Sequence, residues 1–170
     1  MEIVAYHELF EKQVIELILR IQQDEYQVPI TLEDQPDLKR IPEIYQTTGN
    51  FWVAIEEGKV IGTVALLNLN NHIGTIRKLF VDSAYRGQKH GVSSQLLETL
   101  LTWSADHQFQ ALYLGTTSLF KAAHRFYEKN GFTSIGKDDL PIGFPLVAVD
   151  TVFYRYRFDF KAYGDGSKSP

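Results

Sequence analysis

Residues 81–101 read VDSAYRGQKHGVSSQLLETLL, and this stretch decides the fold because it leads from a strand through a glycine-bearing loop into a helix. The strand is predicted at Thr75–Val81, where apolar and β-branched residues follow one another without a turn signal. The helix is predicted from apolar residues that recur at helical spacing: Val92, Leu96, Leu97, Leu100 and Leu101. A loop in this position can bind a phosphate group, because the first turn of a helix presents unpaired N–H groups and a positive dipole end.

The loop from Arg86 to Gly91 is therefore the first candidate site. Gly87 and Gly91 carry no side chain where an anion would approach the backbone, and Arg86 and Lys89 add positive charge. Glycines between a strand and a helix are also ordinary turn residues, so the loop alone leaves a purely structural role open.

A second helix is predicted downstream, with Thr117 or Ser118 as its N-cap. Asn130 and Gly131 predict its end, because a glycine readily takes the left-handed conformation and Phe132 can supply the apolar contact that closes a helix end. Its apolar stripe consists of Leu119, Ala122, Ala123, Phe126 and Tyr127.

The rest of the chain predicts further helices and strands around these two helices. An amphipathic helix is expected at 8–23 and a shorter helix near 38–46, within a proline-bearing loop at 26–49. A hairpin is expected at 51–69 with its turn at Glu57-Gly58, and further strands at 111–115, 132–136 and 151–158. Without an internal repeat or linker, we expect one domain at 1–163 and a flexible tail at 164–170.

The stretch at 81–101 resembles the acetyl-CoA-binding segment of the GNAT superfamily of N-acetyltransferases. A second stretch, AAHRFYEKNGF at 122–132, is similar to the family's later helix with its F-Y-x-x-x-G-F ending, in the expected order. The resemblance implies an α/β fold of the α+β type. Its central twisted sheet would be mixed, mostly antiparallel and flanked by helices, and would splay near its centre to admit acetyl-CoA.

The family's R-x-x-G-x-G/A signature corresponds here to residues 86–91, with Lys89 where the family usually has glycine. If that position needs a left-handed backbone, lysine costs about 1 kcal/mol. The resemblance also implies that the backbone of the preceding strand pairs with the pantetheine arm of acetyl-CoA. The implied acetyl-CoA contacts are Leu79, Phe80, Val81, Arg86, Gly87, Gln88, Lys89, His90, Gly91, Val92, Phe120, Ala123 and Tyr127.

Tyr127 is the catalytic residue that the resemblance implies. Similar proteins place a tyrosine at this point of the helix close to the coenzyme A sulfur, where it can give the departing thiolate a proton or hydrogen bond. The same residue lies on a helical stripe with Ala123 and Phe126, which also fits a core aromatic residue. Phe120 replaces the asparagine that many relatives carry seven residues before the tyrosine.

The sequence assigns no general base to the attacking amine. The strand before the loop carries Arg77 and Lys78, and its nearest acid is Asp82. The two cations suit an acceptor with a carboxylate, although an exposed pair of cations on a strand commonly keeps an edge soluble. Three histidines are more typical of surface or boundary positions than of catalysis: His72, His90 and His124.

Composition excludes several other classes of function. The chain has no cysteine, which excludes disulfides, thiolate metal sites and a cysteine nucleophile, and we expect no metal. With 17 basic and 21 acidic residues the net charge is -4, so nucleic acid and anionic membranes are not expected partners. No stretch approaches the roughly 20 apolar residues that span a bilayer, and a cytoplasmic location is expected.

The expected function is acetyl transfer from acetyl-CoA to the primary amine of a small molecule or peptide. Direct attack in a ternary complex is expected, because no cysteine is available to hold the acetyl group. One alternative is a catalytically silent acyl-CoA-binding or regulatory module, in which Lys89 and Phe120 mark a loss of activity. Another is a protein interaction domain with a fortuitous loop. The apolar run at 140–158 fits an acceptor-pocket wall, a core strand or a homodimer contact.

Overall fold

The computed structural model describes residues 1–159, and the predicted tail at 164–170 lies outside them. Its strands are β1 (Glu2–Ala5), β2 (Asn50–Glu56), β3 (Lys59–Asn68), β4 (Ile73–Val81), β5 (Ala111–Thr116), β6 (Thr133–Ile135) and β7 (Val152–Arg157). Its α-helices are α1 (Glu11–Leu19), α2 (Ile41–Ile44), α3 (Val92–Asp106) and α4 (Lys121–Lys129).

The strands form one hydrogen-bonded sheet in the order β1-β2-β3-β4-β5-β7-β6. The ladders β1–β2, β2–β3, β5–β7 and β6–β7 are antiparallel. The β4–β5 ladder is parallel and joins Ile73–Thr75 to Ala111–Tyr113. The expected mixed, mostly antiparallel sheet with flanking helices is therefore confirmed, whereas the splay at its centre stays a prediction.

The chain divides into two compact units. The first contains Met1–Asn68 and Ile76–Ser104, and the second contains Leu69–Thr75 and, of the described residues, 105–159. Strand β4 contributes its first three residues to the second unit and the remainder to the first. The expectation of one domain over 1–163 stays a prediction.

The first unit is built around the buried face of α1. The periodicity at 8–23 predicted one helix, and the structure has a 3₁₀ turn at Glu8–Phe10, then α1, then a π-helical turn at Arg20–Glu25. The buried core of the unit includes Val14, Leu17, Ile18, Ile21, Leu38, Ile41, Tyr45, Phe51 and Val53. Burial of each large apolar side chain stabilises the fold by about 1.5–3 kcal/mol, so this core supplies much of the stability of the unit.

The predicted hairpin is confirmed as β2 and β3. Glu57 and Gly58 both have positive φ, 49° and 77°, as a two-residue hairpin turn requires. The predicted short helix is also present, as a 3₁₀ turn at Pro36–Lys39 followed by α2. Strand β1 was not predicted, because its four residues lack a periodic pattern and become a strand by pairing with β2.

In the second unit, the predicted N-cap of α4 is wrong. Phe120 is the N-cap residue, and no side chain caps the helix. The Thr117 hydroxyl oxygen instead accepts a hydrogen bond from the Leu119 N–H at 3.3 Å, a local turn that competes with capping. The predicted end is confirmed, since Gly131 has φ 90° and the Phe132 N–H donates back to the Tyr127 carbonyl at 3.0 Å.

Candidate functional site

The loop between β4 and α3 is held to the end of β4 by the side chain of Arg86. Its Nε donates to the Val81 carbonyl at 2.8 Å, and its Nη2 pairs with the Glu25 carboxylate. The guanidinium also lies 5.9 Å from the ring centroid of Tyr26. Arg86 therefore orders the loop, and several of its donor groups already bind other residues of the protein.

The loop backbone takes its left-handed turns at the glycines. Gly87 has φ 104° and Gly91 has φ 65°, whereas Lys89 is not among the residues with positive φ. The anticipated conformational cost of lysine at position 89 therefore does not arise. A Cβ at Gly87 would meet nothing within 4 Å, so the backbone there is open to a ligand.

Helix α3 begins directly after Gly91 and points its N-terminus into this loop. The Gln95 N–H bonds the Gly91 carbonyl at 3.0 Å. The N–H groups of Val92, Ser93 and Ser94 have no carbonyl one turn earlier within the helix. Over 15 residues the aligned peptide dipoles add a partial positive charge at this end. The loop and the first turn can therefore bind an anion such as a pyrophosphate.

Close packing against β3 positions the start of α3. A Cβ at Gly62 would lie 3.0 Å from Leu96 Cδ1 and 3.2 Å from Val92 Cγ1, so the helix packs tightly against the strand at this glycine. Leu96, Leu97 and Leu100 are fully buried on the same helix. The N-terminus of α3 is thus fixed by the core of the first unit.

Strand β4 carries a local irregularity at Lys78, whose φ is 57°. The Thr63 hydroxyl donates to the Lys78 carbonyl at 2.6 Å and stabilises this conformation. The side chain of Lys78 is only 6% exposed, and its Nζ donates to Gln35 Oε1 at 2.6 Å and lies 3.4 Å from Asp37 Oδ2. For Lys78 the suggestion of an exposed, solubilising cation is therefore wrong, because tertiary packing buries it against acceptors.

Lys78 belongs to a polar group that we call the Lys78 cluster: Gln22, Gln35, Asp37, Tyr45 and Lys78. The Tyr45 hydroxyl donates to Asp37 Oδ2 at 2.6 Å. Gln22 and Gln35 exchange two side-chain hydrogen bonds, at 3.1 and 2.8 Å. Burial lowers the pKa of Lys78 to about 8, with Asp37 opposing the shift and Arg77 adding to it. The cluster is thus a buried, hydrogen-bonded ion pair inside the first unit.

Asp82 has a structural role. Its carboxylate accepts from the Ala84 N–H at 3.0 Å and pairs with Arg20 at 2.9 Å and Lys59 at 3.5 Å. Burial by itself would raise the pKa of Asp82, but the Ala84 hydrogen bond and the two cations outweigh it and hold the pKa below its usual value. A carboxylate engaged in this way is a poor proton acceptor for an amine.

Tyr127 is buried in the second unit. Its ring packs against Phe126, Phe132 and Tyr154 at centroid distances of 5.5, 5.4 and 5.8 Å. Burial raises the pKa of Tyr127, and the negative charge of Asp150 raises it further, so the hydroxyl stays protonated at neutral pH. Within residues 1–159 this hydroxyl makes no hydrogen bond, which leaves its proton available to donate.

Asp150 is a neighbour of Tyr127 that sequence reasoning missed. It precedes β7, and its Oδ2 would lie only 2.6 Å from a Cβ at Gly115. The Thr151 N–H donates to the Thr116 carbonyl at 2.9 Å and holds this segment over β5. No motif marks Asp150, because only the pairing of β5 with β7 brings it to Gly115.

The three histidines have ordinary structural contacts. His72 Nδ1 lies 3.1 Å from the Gln108 carbonyl, and His124 Nε2 lies 2.9 Å from the Thr117 carbonyl. The ring of His90 packs edge-on to Tyr85 at 5.9 Å. These contacts agree with the interpretation of all three as surface or boundary residues.

The predicted acetyl-CoA contacts fall in both units. Residues 79–81 at the end of β4 and residues 86–92 of the loop and α3 belong to the first unit. Phe120, Ala123 and Tyr127 lie at the start of α4 and along it, in the second unit. Over residues 1–159, no group of three His, Cys, Asp or Glu side chains is placed to hold a metal. The helices of the same range are all too short or too polar to cross a membrane.

The family can be assigned from this fold and loop together with the sequence. Residues 15–132 match the model of the acetyltransferase (GNAT) family. The chain therefore belongs to the GNAT family of acetyltransferases, which confirms the resemblance seen at 81–101 and 122–132.

Five curated relatives are named N-acetylaspartate synthetase, and two of them illustrate the similarity. The one from Xenopus tropicalis is 33% identical over 127 residues, which cover 72% of this chain and 46% of the relative. The one from Homo sapiens is 34% identical over 112 residues, covering 64% of this chain and 36% of the relative. The chain thus spans less than half the length of these relatives.

Solved structures share the fold over nearly the whole chain. An acetyltransferase of the GNAT family from Staphylococcus aureus Mu50 superposes with a TM-score of 0.89 at 35% identity, over 93% of this chain and 99% of that one. An acetyltransferase from Streptococcus agalactiae superposes with a TM-score of 0.88 at 29% identity, over 92% and 98% of the two chains.

Proposed function

We propose that this protein transfers the acetyl group of acetyl-CoA to the primary amine of a small molecule. The observation that carries the proposal is the glycine-turned loop at 86–91, which leads into the open N-terminus of α3 in a chain of the GNAT family. The name N-acetylaspartate synthetase, borne by five relatives, describes an N-acetylated amino acid and so supports a small-molecule acceptor.

The loop would hold the pyrophosphate of acetyl-CoA. Amide groups at the start of α3 would donate to its oxygens, and the absence of side chains at Gly87 and Gly91 would let the backbone approach closely. The end of β4, at residues 79–81, would bind the pantetheine arm through backbone groups. Lys89, which has ordinary backbone dihedrals, would keep its N–H in the loop, so its presence does not argue for a silent module.

In the reaction, the neutral amine would attack the thioester carbonyl, and the carbon–sulfur bond would break to release the thiolate. Tyr127 would stabilise that thiolate from its protonated hydroxyl. Its raised pKa lies above that of an ordinary thiol, about 8.5, so a hydrogen bond is favoured over complete proton loss. Overall the attacking amine gives up one proton and the departing thiolate takes one up to become the thiol, which balances the transfer.

Acetyl-CoA binding is tested by thermal unfolding of the wild type, Gly91→Glu and Gly58→Glu. Both glycines have positive φ, 65° and 77°, so the two variants share the added charge and the backbone strain. A ligand at about 100 times its Kd stabilises the folded state by about 2.7 kcal/mol. We expect acetyl-CoA to raise the Tm of the wild type and Gly58→Glu but not that of Gly91→Glu. No shift in a folded wild type would refute the proposal.

Catalysis is tested with Tyr127→Phe, which keeps the buried ring and removes the proton. We expect an unchanged Tm shift with acetyl-CoA and a kcat about 10 to 100 times lower, the cost of one hydrogen bond to a charged group, measured as release of free coenzyme A. If Tyr127→Phe has the wild-type kcat, the Tyr127 hydroxyl does not take part in the reaction. A wild type that binds acetyl-CoA but does not release coenzyme A with any amine tested would support the silent acyl-CoA-binding module instead.

A further inference from the structure

Two consecutive cations on β4, Arg77 and Lys78, act electrostatically on the same buried groups. Side chains of a regular strand alternate between faces, but the positive φ of Lys78, 57°, interrupts that alternation. Burial raises the pKa of Tyr45, and the positive charge of Arg77 opposes that rise. Arg77 also adds to the lowering of the pKa of Lys78 that burial causes. Arg77 is therefore within electrostatic reach of the Lys78 cluster.

Lys78 is already satisfied by the protein. Its Nζ has Gln35 Oε1 at 2.6 Å and Asp37 Oδ2 at 3.4 Å. The same Asp37 oxygen accepts the Tyr45 hydroxyl at 2.6 Å. The carboxylate of Asp37 is thus shared by two donors and provides no further counter-charge for a second cation.

Among residues 1–159, Arg77 has no such partner. It is half-buried, yet within this range no carboxylate lies at ion-pair distance from its guanidinium and no residue makes a hydrogen bond with its side chain. Arg77 and Lys78 carry two positive charges beside the single negative charge of Asp37. A partly desolvated site with one excess positive charge favours a bound anion.

The position of Arg77 along β4 separates this anion from the phosphates of acetyl-CoA. Arg77 lies four residues before the end of the strand at Val81, about 13 Å along an extended chain. The loop proposed to hold the pyrophosphate begins only at Arg86. This separation favours an anion of the acceptor at Arg77 over a phosphate of acetyl-CoA.

We propose that the guanidinium of Arg77 binds a carboxylate of the acceptor, so that the substrate class is an amine that carries a carboxylate, such as an amino acid. A planar guanidinium donates two parallel hydrogen bonds to a carboxylate, which fixes the orientation of the acceptor as well as its affinity. The Lys78 cluster positions β4 and keeps Lys78 from competing for that carboxylate. This proposal rests on the acetyltransferase function proposed above.

The test measures coenzyme A release with a matched set of amines: aspartate, its two monoamides asparagine and isoasparagine, and the diamide. All share one amine and nearly one shape, and only the diamide lacks a carboxylate. We expect the wild type to favour at least one carboxylate-bearing member over the diamide by tenfold or more in kcat/KM. Arg77→Gln should lower that kcat/KM 10- to 100-fold through KM and leave the diamide unchanged.

Two further variants make the result specific. Arg77→Lys keeps the charge and loses the planar fork, so it should recover part of the activity. Arg40→Gln removes a cation from the same unit at an exposed ion pair, 57% exposed, and should behave like the wild type. Urea unfolding of Arg77→Gln checks that the variant is folded.

The outcomes separate this proposal from the general function. Equal use of the diamide and the carboxylate-bearing amines by the wild type would overturn the role of Arg77, as would an equal loss on all of them in Arg77→Gln. Binding of acetyl-CoA without acetylation of any member would overturn the acceptor class and leave cofactor binding intact. No Tm shift with acetyl-CoA and no coenzyme A release would refute both proposals.

Discussion

Replacing Asp37 by asparagine removes the counter-charge of a buried lysine, and the cost of this change should depend on pH in a defined direction. The side chains of Lys78 and Asp37 are 6% and 13% exposed, with Nζ 3.4 Å from Oδ2. At an effective dielectric constant of about 20, unit charges at that distance attract by about 5 kcal/mol. This attraction corresponds to three to four pKa units, so in Asp37→Asn the lysine should be neutral at pH 7.

The ability of Lys78 to release its proton limits the loss. In the wild type the pKa of Lys78 is lowered by burial from 10.5 to about 8, so the folded protein binds this proton below pH 8. Folded Asp37→Asn keeps Lys78 neutral and therefore gains no stability from binding this proton. Its deficit should therefore grow by about 1.4 kcal/mol per pH unit below 8, to about 1 kcal/mol at pH 7 and about 3 kcal/mol at pH 6. Above pH 9 only the weaker hydrogen bond from Tyr45 should remain as a cost.

The assay is urea unfolding at pH 6, 7, 8 and 9 for the wild type, Asp37→Asn, Lys78→Met and the double variant. In the Lys78→Met background, the substitution at Asp37 should lose its pH dependence, because no titrating partner is left. A cost of Asp37→Asn that is the same at pH 6 and pH 9, or one that persists unchanged with Lys78→Met, would refute this reasoning.

Two further predictions concern stability. Asp82→Asn removes a buried carboxylate that pairs with two cations and should cost about 1–2 kcal/mol at pH 7. The pKa of Asp82 is lowered in the folded state, so this contribution is present above pH 4 and the difference in Tm should shrink as pH falls below it; a constant difference would contradict the ion pairs. Gly49→Ala should cost over about 3 kcal/mol and Gly115→Ala about 1 kcal/mol. In Gly49→Ala the new Cβ would lie 2.1 Å from the backbone carbonyl oxygen of Leu66, whereas in Gly115→Ala it would lie 2.6 Å from the side-chain carboxylate of Asp150, which can shift. A lower urea midpoint for Gly115→Ala than for Gly49→Ala would disprove the argument.

The amino-acid sequence was sufficient to predict those elements whose signals are local. The hairpin at 51–69 follows from alternation and a Glu-Gly turn, and the end of α4 follows from Asn130 and Gly131. The start of α3 follows from glycines before an apolar helical repeat. Each of these signals lies within about ten residues, so neighbouring side chains and backbone preferences decide the outcome without distant contacts.

Where the outcome depends on distant contacts, the sequence was insufficient or misleading. The residues of β1 became a strand by pairing with β2, which lies about 50 residues away. Thr117 was expected to cap α4, but its hydroxyl bonds a nearer N–H in the turn. The carboxylate of Asp150 reaches Gly115 only through the register of β7 on β5.

The candidate site divides in the same way. The loop from Arg86 to Gly91, its glycines and the polarity of the helix behind it are properties of one continuous segment. From these residues alone, the sequence indicated the family and the candidate anion-binding end of α3. The partners of Lys78, namely Gln35 and Asp37, come from segments some 40 residues earlier in the chain. Packing in the first unit buried Lys78 against Asp37 and left Arg77 half-buried, with no counter-charge at ion-pair distance among residues 1–159. Burial and charge pairing depend on which distant groups the fold brings together, and for this reason only the tertiary structure distinguished the two cations.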